Sequence, residues 1–277
     1  MRSATTRRET IEARLEGVVL RNRFTIAVVF PLVGAVTLVA SGTGLLPAPL
    51  AFQPFLLLFG TLVLRLPLVA ALAPLATRRT AVWLGLLVTY SYAVEWVGVT
   101  TGWPYGAFEY GVELGPMVAG IPVGLPVFFV PLVVNAYLLA LLVARGRGAT
   151  LPLALGLVLV IDLVLDPAAV ALGFWAFESG TYYGVPASNY AGWALSGTVG
   201  VVAVDRAFDR DALRRRLAVV PYALDDLVSF VLLWGAVNVF YWQWLPALVA
   251  AGLGLALLAT GQADLSRLRV AVARRAQ

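Results

Sequence analysis

The stretch LPLALGLVLVIDLVLDPAAVALGFW, residues 151–175, sets the fold class. Its only charges are Asp162 and Asp166, and everything else that could face outward is apolar. A helix rises about 1.5 Å per residue, so roughly 20 such residues cross a hydrocarbon core of about 30 Å. Seven further segments read the same way, at 24–41, 50–74, 80–98, 121–144, 190–204, 222–241 and 244–262. The sixth of the eight in chain order, 190–204, is short and rich in Gly and Ser. The seventh and eighth are separated only by the aromatic cluster Tyr241–Trp244, which leaves a seven-helix count as the alternative.

Composition supports this reading. The chain is 61% hydrophobic and 13% charged, with a mean hydropathy of +0.88, against about 25% charged in ordinary soluble domains. One domain of this length cannot hide so much apolar surface, so lipid must cover part of it. Cys, His and Lys are all absent. That excludes disulfides, thiolate nucleophiles and Cys/His zinc sites, as well as a His general base or a Lys Schiff base. Acid–base work is left to carboxylates, Tyr and water.

With Lys absent, every cationic side chain is arginine, and placement gives the basic pI its meaning. Arg2, Arg7, Arg8, Arg14, Arg21 and Arg23 precede the first span. Arg78 and Arg79 follow the second, and Arg145 and Arg147 follow the fourth. Arg206, Arg210, Arg214, Arg215 and Arg216 follow the sixth, and Arg267, Arg269, Arg274 and Arg275 occupy the tail. Every arginine except Arg65 thus falls on alternate loops, while the loops near 42–49, 99–120 and 176–189 have none. The positive-inside rule makes the arginine side cytoplasmic, with both termini on it. A seven-helix chain would put the tail outside with four arginines, so eight is the expected count. The pI is a topology signal, and no nucleic-acid partner is expected.

The expected organisation is a cytoplasmic N-terminal segment over 1–23, a transmembrane catalytic domain over 24–262 and a basic cytoplasmic tail over 263–277. The first segment reads as a short helix. Its charged region is long for a signal peptide, and no small-residue cleavage site follows, so the first span is expected to be retained. A repeat is also suggested. Glu95-Trp96 leads into Phe108-Glu109 and then Gly120-Ile-Pro122, and Asp166-Pro167 leads into Phe177-Glu178 and then Gly184-Val-Pro186. Both helices run outward, as a parallel repeat requires.

Ionisable side chains within lipid are functional candidates by default. Counting along the helices puts Asp162 near the midplane, Arg65 roughly 5 Å to its cytoplasmic side and Glu95 roughly 9 Å to its outer side. Asp166 lies one turn beyond Asp162 on the same helix face, beside a Pro167 that removes a backbone donor. Unpaired charges at this depth are expensive, so Arg65 and Asp162 are expected to form a structural ion pair. Glu95 and Asp166 lie beneath the outer loops, where a partly desolvated carboxyl can serve as a proton donor. Those loops hold Trp96, Trp103, Tyr105, Tyr110, Trp175, Tyr183 and Trp193 together with Asn189. An interfacial aromatic belt accounts for some of these residues. Interleaved Gly and Pro point instead to a built pocket mouth. Asp225 and Asp226 are expected as first-turn helix acids at the inner interface, and Asn135 and Asn238 as interhelical hydrogen-bonders. Asp162-x-x-x-Asp166 fits a prenyl-diphosphate Mg²⁺ motif only formally, and no phosphate loop appears.

Several spaced motifs occur in order: Glu95-Trp-Val-Gly-Val-x-x-Gly102 with Pro104-Tyr-Gly106 and Tyr110, Gly120-Ile-Pro122, Asp162-Leu-Val-Leu-Asp-Pro167, Gly180-x-Tyr-Tyr-Gly-Val-Pro186, and Asn189-Tyr-x-Gly-Trp193. Over roughly residues 85–200 the chain resembles the CruF-type carotenoid hydratase family. The resemblance implies addition of water across the terminal C=C bond of an acyclic carotenoid, giving a tertiary alcohol. For haloarchaeal members it implies hydration at both ends of a fifty-carbon carotenoid, the last steps towards bacterioruberin. It brings no assigned catalytic residues.

The inventory suits that chemistry, which needs a proton donor, shelter for a tertiary cation and one positioned water. We assign Asp166 as acid and Glu95 as water-positioning base, interchangeably, with Trp96, Tyr105, Tyr183 and Trp193 as cation-shielding walls. Trp103, Tyr110, Trp175 and Asn189 complete the expected substrate-binding set. No metal or cofactor is expected. The expected partners are the bilayer of the cell membrane, the carotenoid and other membrane enzymes of the same pathway. A carotenoid cyclase, a proton-coupled small-molecule transporter and a non-catalytic pigment-binding subunit stand as alternatives.

Overall fold

The computed structural model describes residues 2–261, with side chains from Arg7 onward. The expected basic tail over 263–277 lies outside the described residues. The protein is an all-α bundle. In chain order its helices are α1 (Arg2–Phe24), α2 (Phe30–Gly42), α3 (Pro54–Leu72), α4 (Arg78–Thr101), α5 (Leu125–Val143), α6 (Arg147–Ala171), α7 (Ala187–Ala207), α8 (Arg210–Val219), α9 (Asp225–Phe240) and α10 (Trp244–Ala259). Four short strands stand in the loops: β1 (Phe108–Tyr110), β2 (Met117–Val118), β3 (Ile121–Pro122) and β4 (Trp175–Phe177).

Helices occupy all eight expected segments. Among the described residues five helical stretches are long and apolar enough to cross a membrane: Arg7–Gly42, Pro54–Leu75, Arg78–Thr101, Leu125–Val143 and Arg147–Ala171. Residues Trp244–Ala259 form a shorter apolar helix. Large apolar side chains such as Val36, Phe55, Phe59 and Leu255 lie exposed on the outside, where only lipid can cover them.

Several boundaries differ from expectation. The N-terminal segment is not a separate helix. It runs through a π-helical turn, Thr25–Val29, directly into α2. The Ser229 hydroxyl of α9 lies 3.4 Å from the carbonyls of Ile26 and Ala27 in that turn. The fourth and fifth spans give up residues 121–122 and 175 to strands. The weak sixth span is in fact a 21-residue helix. Its glycines are packing surfaces, since a Cβ on Gly197 or Gly200 would meet Val158 or Val133 at 3.0 Å or less. Small residues let membrane helices approach closely, and for that reason α7 is poor in apolar bulk. The amphipathic α8 has no counterpart among the expected segments. Asp209 caps it through Ala212 N at 2.7 Å, and Leu213 and Leu217 bury its inner face.

α5 is buried on almost every side from Phe129 to Leu141. It packs most extensively on α6, while α4 packs on α7 and α9 packs on α2 and α10. Two helix-interior prolines leave carbonyls four residues earlier without their amide partner, and both carbonyls find another donor. Arg65 Nε donates to Val127 O at 3.1 Å below Pro131, and the Tyr182 hydroxyl donates to Leu163 O at 3.3 Å below Pro167.

The arginine-rich end has a structural logic of its own. Arg8 donates to Ala73 O and Ala76 O, Arg214 to Ala144 O at 2.9 Å, Arg216 to Ala71 O at 3.0 Å, and Arg79 to Arg206 O. These carbonyls close α3, α5 and α7, where the negative helix ends favour cations.

At the opposite end the two Phe-Glu loops pair with each other. β1 and β4 are antiparallel, with Phe108 opposite Phe177 and Tyr110 opposite Trp175. Phe108 and Phe177, matching positions of the suggested repeat, therefore stand opposite each other at one end of the ribbon. Correspondingly, α4 leans on α7 as α6 leans on α5.

Candidate active site

Beneath the β1–β4 ribbon lies a cavity of about 130 Å³. Glu95 and Ser91 reach it from one face of α4, and Asp166 and Leu165 from α6. Asn189 and Trp193 enter from α7, Phe129 and Leu132 from α5, and Trp234 from α9. Tyr105, Phe108, Tyr110, Phe174, Trp175 and Phe177 close it from the loops. The lining is overwhelmingly aromatic and aliphatic; its polar groups include the carboxyls of Glu95 and Asp166, which can do acid–base work, the phenols of Tyr105 and Tyr110, the Asn189 amide and the Ser91 hydroxyl.

Each polar group is held in place. The Tyr110 hydroxyl donates to Glu95 Oε1. Asn189 Nδ2 donates to Asp166 Oδ2 and to Asp162 Oδ2, the latter at 3.3 Å. The Tyr105 hydroxyl lies 2.7 Å from Ser196 Oγ, which is 3.1 Å from the Tyr90 hydroxyl. The Tyr105 ring is gripped between two helices, because Gly98 of α4 and Gly192 of α7 both leave room for it. Burial, reinforced by the charge of Glu95, holds the Tyr105 and Tyr110 phenols above the usual tyrosine range. Both therefore stay protonated at any ordinary pH.

The aromatic rings contact one another around the wall. Trp193 stacks obliquely on Phe129 at 5.7 Å and on Tyr105 at 6.5 Å, and Phe174 meets Trp234 edge-on at 6.2 Å. Electron-rich rings in an apolar pocket suit a transient cation. Among the described residues no three acidic side chains gather closely enough to hold a metal ion.

Of the expected site residues, the fold brings together Glu95, Asp166, Tyr105, Tyr110, Trp175, Asn189 and Trp193. It leaves three outside the cavity. Trp96 follows Glu95 on α4, is rotated about 100° round the helix, and is 53% exposed. Trp103 is 61% exposed. Tyr183 turns outward at φ +51°, and its hydroxyl accepts from Leu245 N at 3.4 Å. Phe108 and Phe177 are visible in the sequence only as parts of the Phe-Glu loops. Phe128, Phe129 and Trp234 give no signal there, because an aromatic in an apolar span looks the same whether it faces lipid or a cavity.

The expected Arg65–Asp162 pair is corrected. Arg65 binds Asp226, which Asn135 Nδ2 also reaches at 2.5 Å. Depth along a helix does not give rotation. The Asp162 face of α6 meets α7, whereas α3 packs on α9. Asp225 and Asp226 are accordingly ion-pair partners rather than simple caps, with Asp225 clasped by Arg23 at 2.7 and 2.8 Å. Asn135 and Asn238 do act between helices, the latter donating to Val164 O at 2.9 Å.

Fold and site together define a multi-pass membrane protein whose helices enclose an apolar, aromatic cavity carrying opposed carboxyls. A family profile described as "Carotenoid biosynthesis protein" matches residues 52–257. The chain is also 59% identical over 257 residues to the bisanhydrobacterioruberin hydratase of Haloarcula japonica, covering 91% of this chain and 88% of that protein. It belongs to the carotenoid biosynthesis protein family. No solved structure matches it.

Proposed function

We propose that the chain is a carotenoid hydratase that adds water to the terminal C=C bond of an acyclic carotenoid, converting bisanhydrobacterioruberin to bacterioruberin. The observation that carries this reading is Glu95 and Asp166 facing one aromatic cavity from different helices. The high identity to a relative of that name over most of both chains supports it.

In this mechanism Asp166 gives its proton to the CH carbon of the terminal (CH₃)₂C=CH unit. The positive charge develops on the dimethyl carbon, where Trp193, Trp175 and Tyr105 shield it. Water adds to that carbon, and Glu95, oriented by the Tyr110 hydroxyl, takes the proton the water releases. Atoms and charge balance as alkene plus water giving tertiary alcohol, with the proton lost by Asp166 matched by the one gained at Glu95. The residues described supply the acid, the base and the cation shelter. We further infer eight membrane crossings in the cell membrane, with the arginine-rich end cytoplasmic and the cavity in the outer half. Other membrane enzymes of the pathway are the proposed neighbours that pass the pigment on.

The test is expression in a strain that accumulates the anhydro-carotenoid, followed by pigment mass analysis. A mass gain of one water per reacted end is expected. An isomeric product would instead indicate a cyclase, and unchanged pigment would indicate binding or transport. Asp166→Asn and Glu95→Gln should each lose roughly 10²–10⁴-fold in rate. Near-normal alcohol formation by both folded variants would sink the assignment.

A further inference from the structure

Asp162 has no part in the reaction above, although it is the more buried of the two acids on α6, with 0% exposure against 2% for Asp166. It stands one turn before Asp166 and does not line the cavity. Among the described residues neither acid has an ion-pair partner, since Arg65 is engaged by Asp226. Asn189 gives a single amide nitrogen to both, and Asp162 Oδ1 is buried without a hydrogen-bond partner. Two adjacent carboxylates with no cation cannot both be held in an apolar interior, so the pair carries at least one proton.

Donor inventory decides where that proton points. A neutral carboxyl has one O–H to give. Asn189 offers Asp162 a donor, and the strongest acceptor beside Asp162 is the carboxylate of Asp166, one turn on along α6 and bound to the same Asn189 nitrogen. The other titratable groups facing the pair are Glu95 on α4, Tyr105 and Tyr110 after α4, Tyr182 in the loop before α7, and Tyr190 on α7. None of them is a cation. The polar neighbour on α9 is the amide of Asn238.

We propose that Asp162 is a positioning residue for the hydration proposed above, on which this inference rests. It acts as a neutral carboxylic acid whose O–H is held on Asp166 and takes up part of the negative charge left there when Asp166 protonates the alkene. Asp162 keeps its own proton throughout, so none has to be replaced. Together with Asn189 it gives the nascent Asp166 carboxylate two hydrogen bonds, already oriented before the charge appears. The pair thus divides its work: Asp166 faces the substrate, and Asp162 sets how readily Asp166 lets its proton go.

The test uses full-length protein in lipid vesicles with the anhydro-carotenoid, comparing Asp162→Leu, Asp162→Asn and Asp166→Asn with wild type. Asp162→Leu should lower kcat roughly 100-fold at unchanged KM and move the high-pH limb of kcat to higher pH. Asp162→Asn retains an N–H for Asp166 and should restore most of the rate. Wild-type kcat with an unmoved limb in Asp162→Leu overturns the inference, as does an equal loss in both variants with an unmoved limb. Should Asp162→Leu fail to fold, infrared spectra of wild type in mildly alkaline buffer decide the matter. A protonated-carboxyl band lost in Asp162→Asn and kept in Asp166→Asn supports the proposal, and its absence from wild type overturns it. Full hydration by Asp166→Asn would instead refute the acid assignment, leaving the two failures distinguishable.

Discussion

Replacing Gly192 by Ala should damage both stability and activity, by an amount the geometry allows to be worked out. A Cβ at Gly192 would stand 2.4 Å from Tyr105 Cδ1, 2.9 Å from Cε1 and 3.1 Å from the backbone carbon of Pro104. Non-bonded carbons prefer about 3.5–4.0 Å, so the closest overlap is roughly 1 Å. The ring cannot slip aside between the two helices. A Cβ on Gly98 on the other side would already be 3.1 Å from Cδ2, and the hydroxyl is tied to Ser196 at 2.7 Å. Either α7 moves off α4 or Tyr105 swings into the cavity it lines. Overpacking costs typically 1–3 kcal/mol, and a pinned ring plus a backbone contact puts this case near the top, at about 3 kcal/mol. Unfolding in detergent micelles measures the first effect, and alcohol formed per folded enzyme measures the second, with a loss of at least about tenfold expected. Gly85→Ala and Gly252→Ala are the controls, since an added Cβ there meets nothing within 4 Å. In a Tyr105→Ala background the Gly192→Ala cost should fall to the smaller share due to the Pro104 backbone, the coupling expected of residues in contact. If Gly192→Ala is as stable and active as Gly85→Ala, or costs the same without the Tyr105 ring, the reasoning is refuted.

Other perturbations separate the site from its scaffold. Arg65→Met leaves Asp226 fully buried without its cation and should cost about 3–5 kcal/mol in unfolding experiments, while Arg65→Met with Asp226→Leu should recover most of that loss. Tyr110→Phe removes the hydroxyl that holds Glu95 and should lower kcat by about tenfold or more in steady-state assays, a hydrogen bond to a charged group contributing roughly 1.5–3 kcal/mol. Trp96→Ala and Trp103→Ala should leave hydration rate and stability within about 0.5 kcal/mol of wild type. Trp193→Ala, which opens the cavity wall, should lower the rate at least about tenfold in the same product assay.

Much of the site is legible in the chain of residues itself. Glu95, Asp166, Asn189 and the loop aromatics Tyr105, Tyr110, Trp175 and Trp193 stand out as polar or aromatic residues in places where lipid tolerates few polar groups. What they have in common is depth, which a count along each helix supplies. Rotation about the helix axis is not supplied that way, because spans that are apolar all round carry no stripe to mark the inner face. For that reason a count along α4 groups Trp96 with Glu95, and depth alone matches Arg65 to Asp162 instead of Asp226. The pairing of the two Phe-Glu loops is equally out of reach. Their similarity is noticeable, but a two-stranded ribbon between segments about 70 residues apart depends on how α4 and α6 are packed.

That residues 151–175 and their counterparts form apolar helices in a membrane follows from the order of residues alone, because hydropathy and arginine placement are one-dimensional properties that the bilayer reads directly. The same order of residues limits the groups that exist to do work to carboxylates and phenols, with no thiol, imidazole or lysine amine. Which face of each helix turns inward is settled in three dimensions, and with it the sharing of one cavity by Glu95 and Asp166 while Asp162 stands behind Asp166 with no cation beside it among the described residues. The reason is physical. Lipid accepts any apolar side chain equally, so inward-facing surfaces are chosen by close packing, as at Gly192 and Gly197, and by the partners that buried polar groups find across the bundle.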